Sequence, residues 1–252
     1  MPRYDFRSPR LYLEVPLAGG QTLGLEPAQV NYLRNVLRLR DGAPVLVFNG
    51  SDGEWRATLI ERGKRALALA IGEQTRAQMR PLDLHYLFAP LKHARLDYMV
   101  QKAVEMGASR LQPVLTRHTQ AARVNLDRMR ANAIEAAEQC GILTLPEIAA
   151  PVSLERILAE RKAERLLVFC DEDAEVKDPV AALANARPEG GAAPPALAVL
   201  IGPEGGFAED ERSALLRAPN VVRLALGPRI LRADTAAVAA LTLVAAVLGD
   251  WR

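Results

Sequence analysis

The chain is poor in the residues that build metal and disulfide sites: of 252 residues, two are cysteine and three histidine. Cys140 and Cys170 form no CxxC pair, and His85, His93 and His118 fall in different predicted elements. No metal site and no disulfide framework is therefore expected, and both thiols read as small core residues. Long apolar runs are also missing. The longest, from Ala236 to Leu248, is shorter than the ~20 residues a membrane-spanning helix needs, so no membrane partner is expected. Met1-Pro2-Arg3-Tyr4-Asp5 leads into no apolar signal segment, which makes a reducing cytoplasm the expected location. Neither GxGxxG nor GxxxxGK[ST] occurs, so the marks of a dehydrogenase or a P-loop kinase are absent. Nothing suggests a nucleophilic triad.

What remains is an ordinary globular composition, 50% hydrophobic and 25% charged, in a chain long enough for one large or two modest domains. The net charge of +2 is uneven, because residues 1–80 hold twelve Lys/Arg against eight Asp/Glu. That surplus is either a solvated surface or a part that meets phosphate.

The first 72 residues read as a small barrel-like β domain. Ala43 to Phe48, Glu54 to Glu61 and Arg65 to Ile71 are predicted strands, separated by turns at Asn49–Gly53 and Arg62–Lys64. Before them Pro27 opens a helix with Val30, Leu33 and Leu37 on one face and Arg34 and Arg38 on another. Those arginines, with Arg40, Arg3, Arg7 and Arg10, are either solvent-facing or a nucleic-acid backbone patch. Residues 73–82 are polar, aperiodic and proline-containing, and read as a linker.

From residue 83 strands alternate with helices, which predicts an α/β domain with a mostly parallel sheet. Its strands are Leu82 to Phe88, Leu111 to Leu115, Leu166 to Cys170, Leu197 to Ile201 and Val221 to Leu226. Its helices run from Leu96 to Met106, Leu126 to Cys140, Leu154 to Ala163, Pro179 to Ala186, a segment after Ala208, and Thr235 to Leu248. A Gly/Pro loop spans 187–195. The last helix is apolar on almost every face, so it is expected in the core or against a second copy of the chain.

Two of these strands end in glycine and proline: Leu200-Ile201-Gly202-Pro203-Glu204-Gly205-Gly206-Phe207, and Leu224-Ala225-Leu226-Gly227-Pro228-Arg229-Ile230-Leu231-Arg232-Ala233-Asp234-Thr235-Ala236. Gly202, Gly205 and Gly206 remove three β-carbons from one loop, so a flat ligand could lie against bare peptide groups. Leu226 and Gly227 suit the same site, and Ile201, Leu224, Ile230 and Leu231 read as core that also touches the ligand. Glu204 stands either near a positive charge on the ligand or on peptide N–H groups of its own loop. Arg232 is either catalytic or paired with Asp234, while Asp234 and Thr235 are placed to cap a helix. Lys102 and Glu105, one turn apart, are expected to pair with each other. Lys92, His93 and Arg95, after a strand end, form either a wet loop or a nucleic-acid contact.

The paired motifs GPEGGF and LALGPRILRADTAA resemble the ribosomal RNA small subunit methyltransferase E family, of the knotted SPOUT class. Gln101-Lys102-Ala103-Val104-Glu105-Met106-Gly107 and Glu135-Ala136-Ala137-Glu138-Gln139-Cys140-Gly141 extend the resemblance to nearly the whole chain. The chain departs from the family pattern at Ala233-Asp234, where Thr-Glu is usual, and at Ile142, where Arg is usual. The resemblance implies a PUA-like RNA-binding barrel at 1–72 and a SPOUT methyltransferase domain at 83–252. Pattern alone predicts an open doubly wound sheet, since knots are rare; the resemblance implies a trefoil knot and a homodimer. It further implies transfer of the S-adenosylmethionine methyl group to N3 of a uridine in 16S ribosomal RNA of the small subunit, without a metal. The cofactor would be held by Leu200, Ile201, Gly202, Glu204, Gly205, Gly206, Leu224, Leu226, Gly227, Ile230, Leu231, Thr235 and Ala236. Arg232 and Asp234 would be catalytic, and Arg3, Arg7, Arg10, Arg34, Arg38 and Lys92 would hold RNA. A non-catalytic RNA-binding protein and a SPOUT enzyme acting on another base are the alternatives.

Overall fold

The computed structural model describes residues 5, 7–63, 66–92, 94–121, 123–175, 178–187 and 193–251. Arg3, His93 and part of the 187–195 loop lie outside them. The chain forms two compact units, Met1–Arg80 with Ala137–Leu145, and Pro81–Ala136 with Pro146–Arg252.

In the first unit five strands, β1 (Arg10–Tyr12), β2 (Thr22–Gly24), β3 (Pro44–Phe48), β4 (Glu54–Glu61) and β5 (Leu67–Arg76), lie in the order β1-β3-β4-β5-β2. β1 runs parallel to β3 and the remaining pairs are antiparallel. Among the described residues the pairing does not close β2 onto β1. Inward residues of β3, β4 and β5, including Val45, Val47, Ala57, Leu59 and Leu69, pack with Leu33 into one core. β5 carries on to Arg76, so 73–76, expected within the linker, are strand. Its polar end gave no apolar alternation because Glu73 to Arg76 meet the β3–β4 turn and the charged end of β4 rather than the core. The short edge strands β1 and β2 fall in the stretch of alternating runs expected from Leu11 onward, for which no strand bounds are predicted before Ala43.

The helix expected after Pro27 is α1 (Pro27–Asn31), followed by a π turn over Tyr32–Val36. The Leu37 N–H donates to the Tyr32 carbonyl, five residues back, and Arg38 sits at φ 56°. The extra residue in the turn and the left-handed Arg38 end the helical spacing, so Arg34 and Arg38 do not share a helix face.

Arg10, expected on an RNA patch, is buried. Its Nε donates to Glu54 Oε2 at 2.9 Å, and Arg76 Nη2 donates to the same oxygen at 2.6 Å. The arginines also satisfy backbone carbonyls, Arg10 that of Asp5 and Arg76 that of Gly141. Burial pushes the Glu54 carboxyl up, but hydrogen bonds from Arg76, Thr75 and Arg10 outweigh it and hold the group below its ordinary value. The Glu-Gln-Cys-Gly stretch belongs to this unit: Glu138 accepts the Tyr12 N–H at 2.8 Å. Gly141 has φ 65°, and a β-carbon there would meet the Arg10 guanidinium at 3.3 Å. Cys140 is exposed, against the expectation of a core thiol.

The second unit is built on β6 (Leu84–Phe88), β7 (Arg110–Leu115), β8 (Glu147–Ile148), β10 (Leu166–Cys170), β11 (Leu197–Ile201) and β12 (Val221–Leu224), in the order β12-β10-β11-β6-β7-β8. β9 (Val152–Ser153) pairs with β7 off that path, and every pairing is parallel. α2 (Ala94–Glu105), α5 (Pro179–Asn185) and α7 (Ala233–Val247) pack together on one side. α4 (Leu154–Glu160) and α6 (Glu209–Arg217) cover the core built on Leu87, Leu167, Phe169, Ala198 and Leu200. α3 (Leu126–Cys140) has the predicted bounds. α7 buries Ala233, Ala236, Ala237, Ala240, Leu241, Val244 and Ala245, which recur at helical spacing. Val238, Ala239, Thr242, Leu243 and Val247 remain half-buried. The helix starts two residues earlier than expected, with Arg232 as its N-cap. Among the described residues no helix is long and apolar enough to cross a membrane.

Candidate active site

Parallel β10, β11 and β12 end side by side, at Cys170, Ile201 and Leu224. The chain leaves each strand at this end of the sheet, where open α/β sheets form ligand crevices. A cavity of about 520 Å³ opens there, walled by Cys170–Glu172, by Ile201–Phe207 and by Leu224–Ala233 with Ala236. Its size falls within the range of small-molecule sites.

The loops are held by different means. The Asp171 N–H donates to the Leu224 carbonyl at 2.9 Å, and its buried carboxylate lies 3.0 Å from Arg212 Nε on α6 and 2.8 Å from Arg223 Nη2 on β12. One side chain thus ties three elements of the wall together. After β11, the Phe207 ring turns back under its own loop and meets Phe169 edge-on at 6.1 Å. The next helix, α6, begins with Glu209, Asp210 and Glu211; Glu211 caps it by accepting the Ala208 N–H at 3.0 Å.

The glycines divide differently from expectation. A β-carbon on Gly202 would lie 2.8 Å from the Phe207 ring, one on Gly205 would meet His118 at 3.5 Å, and one on Gly206 would meet Glu172 at 2.6 Å. The spaces beside Gly202 and Gly206 are filled by the protein's own side chains, whereas a β-carbon on Gly205 would be in ordinary contact with His118. The glycine whose missing side chain leaves open space is Gly227, at φ 95° on the cavity wall.

Ile201, Gly202, Glu204, Gly205, Gly206, Leu224, Leu226, Gly227, Ile230, Leu231 and Ala236 all border the cavity. Leu200 does not: alternation along β11 turns it into the core on the opposite side from Ile201. Thr235 is exposed and Asp234 half-buried, and both lie off the wall; the Asp234 carboxylate accepts the Thr235 N–H at 2.9 Å. Arg232 borders the cavity and is exposed; among the described residues no ion pair joins it to Asp234. Among the described residues Glu204 pairs with Arg95 on α2, at 2.5 Å, rather than with peptide N–H groups of its own loop. Lys102 and Glu105 pair at 2.6 Å, as their spacing predicts. Arg7 and Arg38 are exposed and Arg34 half-buried.

Asp171, Glu172, Phe207 and His118 were not singled out for this site. An Asp-Glu-Asp run after a strand gave the only signal, and it reads equally as a polar turn. Cys170, at the cavity edge, has its thiol pushed up to about 12, by burial first and then by Asp171 beside it. It is a wall group rather than a nucleophile. Among the described residues no cluster of His, Cys, Asp or Glu is suited to a metal ion.

Residues 78–245 match the family described as an RNA methyltransferase domain, and residues 25–71 the RNA methyltransferase PUA domain. A ribosomal RNA small subunit methyltransferase E of Rickettsia conorii is 30% identical over 236 residues, covering 93% of this chain and 94% of that one. A ribosomal RNA small subunit methyltransferase E of Neisseria gonorrhoeae, solved with S-adenosyl methionine bound, superposes with a TM-score of 0.81. It is 27% identical, with 98% of this chain and 100% of that one covered. A Legionella pneumophila chain solved with the bound cofactor SAM gives a TM-score of 0.82 at 29% identity, covering 95% and 98% of the two chains.

Proposed function

Because this chain belongs to the ribosomal RNA small subunit methyltransferase E family, we propose that it transfers the methyl group of S-adenosylmethionine to N3 of a uridine in 16S ribosomal RNA. The cavity at the ends of β10, β11 and β12 is the observation that carries this reading. Its apolar walls, Ile201, Leu224 and Leu226, suit a purine, and the peptide groups of 225–228 lie outside any strand ladder and are free for polar atoms. The open side of Gly227 leaves room for a ligand that any side chain would take. When bound, S-adenosylmethionine supplies an electrophilic methyl group on a sulfonium. The protein's part is placement and charge. Arg232 would face the anion that a uracil imide becomes on losing its N3 proton. Asp234, on the first turn of α7, would act by orienting that helix end.

In the same reading the N-terminal unit holds RNA through Arg3, Arg7, Arg34 and Arg38, with Lys92 of the second unit; buried Arg10 is not among them. The half-buried apolar side of α7, with Val238, Leu243 and Val247, supports a homodimer. A C-terminal trefoil knot and a cytoplasmic location complete the proposal. The test is transfer of labelled methyl from S-adenosylmethionine to small ribosomal subunits and, separately, to their naked RNA. Label in the RNA is the expected result; cofactor binding without transfer would leave the site and remove the substrate. Sedimentation at twice the chain mass is the expected state, and sedimentation as a monomer would refute the dimer.

A further inference from the structure

Beside the cavity, across the GPEGG loop, lies a second and smaller cleft. It is bounded by Pro90, Leu91 and Lys92 after β6, by His118 and Gln120 after β7, and by Pro203 and Glu204 after β11. Pro203 and Glu204 border both spaces, so a group seated in the cleft is next to whatever fills the cavity. The cleft has about 20 Å³ of free volume, room for about one water-sized group and not for a ring.

His118 is the group that matters there. Its Nδ1 lies 3.1 Å from the Gly206 carbonyl oxygen. A carbonyl only accepts, so in this hydrogen bond Nδ1 carries the hydrogen, and the neutral ring keeps its lone pair on Nε2. The two flanking side chains, the Lys92 ammonium and the Gln120 amide, are exposed donors. All three side chains border the cleft, where Lys92 and Gln120 can donate and His118 Nε2 can accept. The edge of uracil at N3 presents the complement, a carbonyl, the N3–H and a second carbonyl; cytosine, with a bare N3 and an amino group, does not. The carboxylates nearby are otherwise engaged or elsewhere: Glu204 is paired with Arg95, Asp171 is held by Arg212 and Arg223, and Glu172 borders the cavity rather than the cleft.

We propose that the His118 cleft reads the N3 edge of the target uridine and that His118 Nε2 accepts the N3 proton. This rests on the reading of the protein as a uridine-N3 methyltransferase and adds the group that reading lacks. The lone pair of a neutral imide nitrogen stands perpendicular to the ring, while the N–H bond lies in the ring plane. That pair is delocalised into the two carbonyls, so the nucleophile is the in-plane pair left when the N3–H bond gives up its proton, and the methyl group is taken along that line once the proton has gone. The N3–H bond breaks with its proton going to Nε2, the N3–CH3 bond forms, and the electron pair of the S–CH3 bond stays on sulfur. The products are the methylated base, a neutral thioether and imidazolium, so charge balances. Lys92 would offset the charge gathering on the carbonyl oxygens.

Two measurements test it. Nitrogen NMR of the cofactor-free protein is expected to show His118 protonated on Nδ1 and bare on Nε2; the opposite tautomer overturns the proposal. Single-turnover methyl transfer to small subunits is then compared among the wild type, His118→Ala and His118→Asn. Asn keeps an N–H able to reach the Gly206 carbonyl but has no group in place of Nε2. Both variants are expected to lose about a hundredfold or more in rate while binding S-adenosylmethionine within about twofold of wild type, and added imidazole is expected to restore part of the His118→Ala rate. Wild-type rate in His118→Asn, or a loss that lies wholly in cofactor affinity, would reduce His118 to a loop support and overturn the assignment. A wild type that methylates no uridine would instead sink the functional reading, and the role of His118 with it.

Discussion

Glu54 in the first unit and Asp171 in the second are both buried carboxylates held between two arginines, each about 2% exposed. Around Glu54 each arginine also donates to a backbone carbonyl, that of Asp5 or of Gly141, so the cluster ties backbone together and closes a fold. Around Asp171 the arginines come from α6 and β12, and the loop they fix is the wall of a cavity. The same charge chemistry serves architecture in one unit and the shape of a site in the other. A buried ion cluster thus says little about function until one asks which elements it joins.

Removing either carboxylate breaks the parallel most strongly. Glu54→Ala takes the shared anion from Arg10 and Arg76, and a loss of about 3–5 kcal/mol in unfolding free energy is expected by denaturant titration; Asp171→Ala leaves Arg212 with Asp173 and Glu209, and a smaller loss, about 2–3 kcal/mol, is expected. Only Asp171→Ala is expected to weaken S-adenosylmethionine binding as well, by tenfold or more in calorimetry; equal affinity in the two variants would erase the distinction.

Acid sharpens the comparison. Burial, and then the nearby Arg165, push His85 of β6 down to about 4 from an unfolded value near 6.5. Between those values the unfolded chain binds the proton and the folded chain does not, so stability is complete above pH 6.5 and is lost as the pH falls toward 4. With the screening that the partly exposed ring receives from solvent, the loss amounts to about 1–2 kcal/mol. Glu54 also has a lowered value, so its contribution is present above its unfolded pKa of 4.5 and lost below it. The second unit is therefore expected to weaken at a higher pH than the first, and His85→Gln to remove that early loss in melts at pH 5 against pH 7.5.

Smaller effects separate the glycines of the cavity from the backbone strain of the first unit. Gly227→Ala is expected to cost about 1–2 kcal/mol through its positive φ and to cut cofactor affinity beyond that, because the added methyl stands on the cavity wall with no protein atom beside it. Arg38→Gly, at φ 56° on an exposed turn, is expected to stabilise by less than about 1 kcal/mol and to leave cofactor binding unchanged.

The regular elements of the second unit were readable because each strand is a short apolar run closed by a turn; β10 and β11 have the predicted bounds. The cavity was readable from two glycine-proline strand ends. The cause assigned to the glycines was not, since which vacancy faces a ligand depends on where Phe207, His118 and Glu172 come to rest. Arg10 misled for the opposite reason. A lone arginine in a basic stretch carries no mark of burial, and its partner Glu54 lies 44 residues away. Local spacing shows periodic faces; it is silent on charges that meet across a sheet.

The central claim is tested most directly by incubating the protein with S-adenosylmethionine and small ribosomal subunits, digesting the RNA to nucleosides and identifying the product by mass spectrometry. The account predicts 3-methyluridine, formed only when cofactor and protein are both present. Methyl on another base, on ribose, or on no nucleoside at all would contradict it.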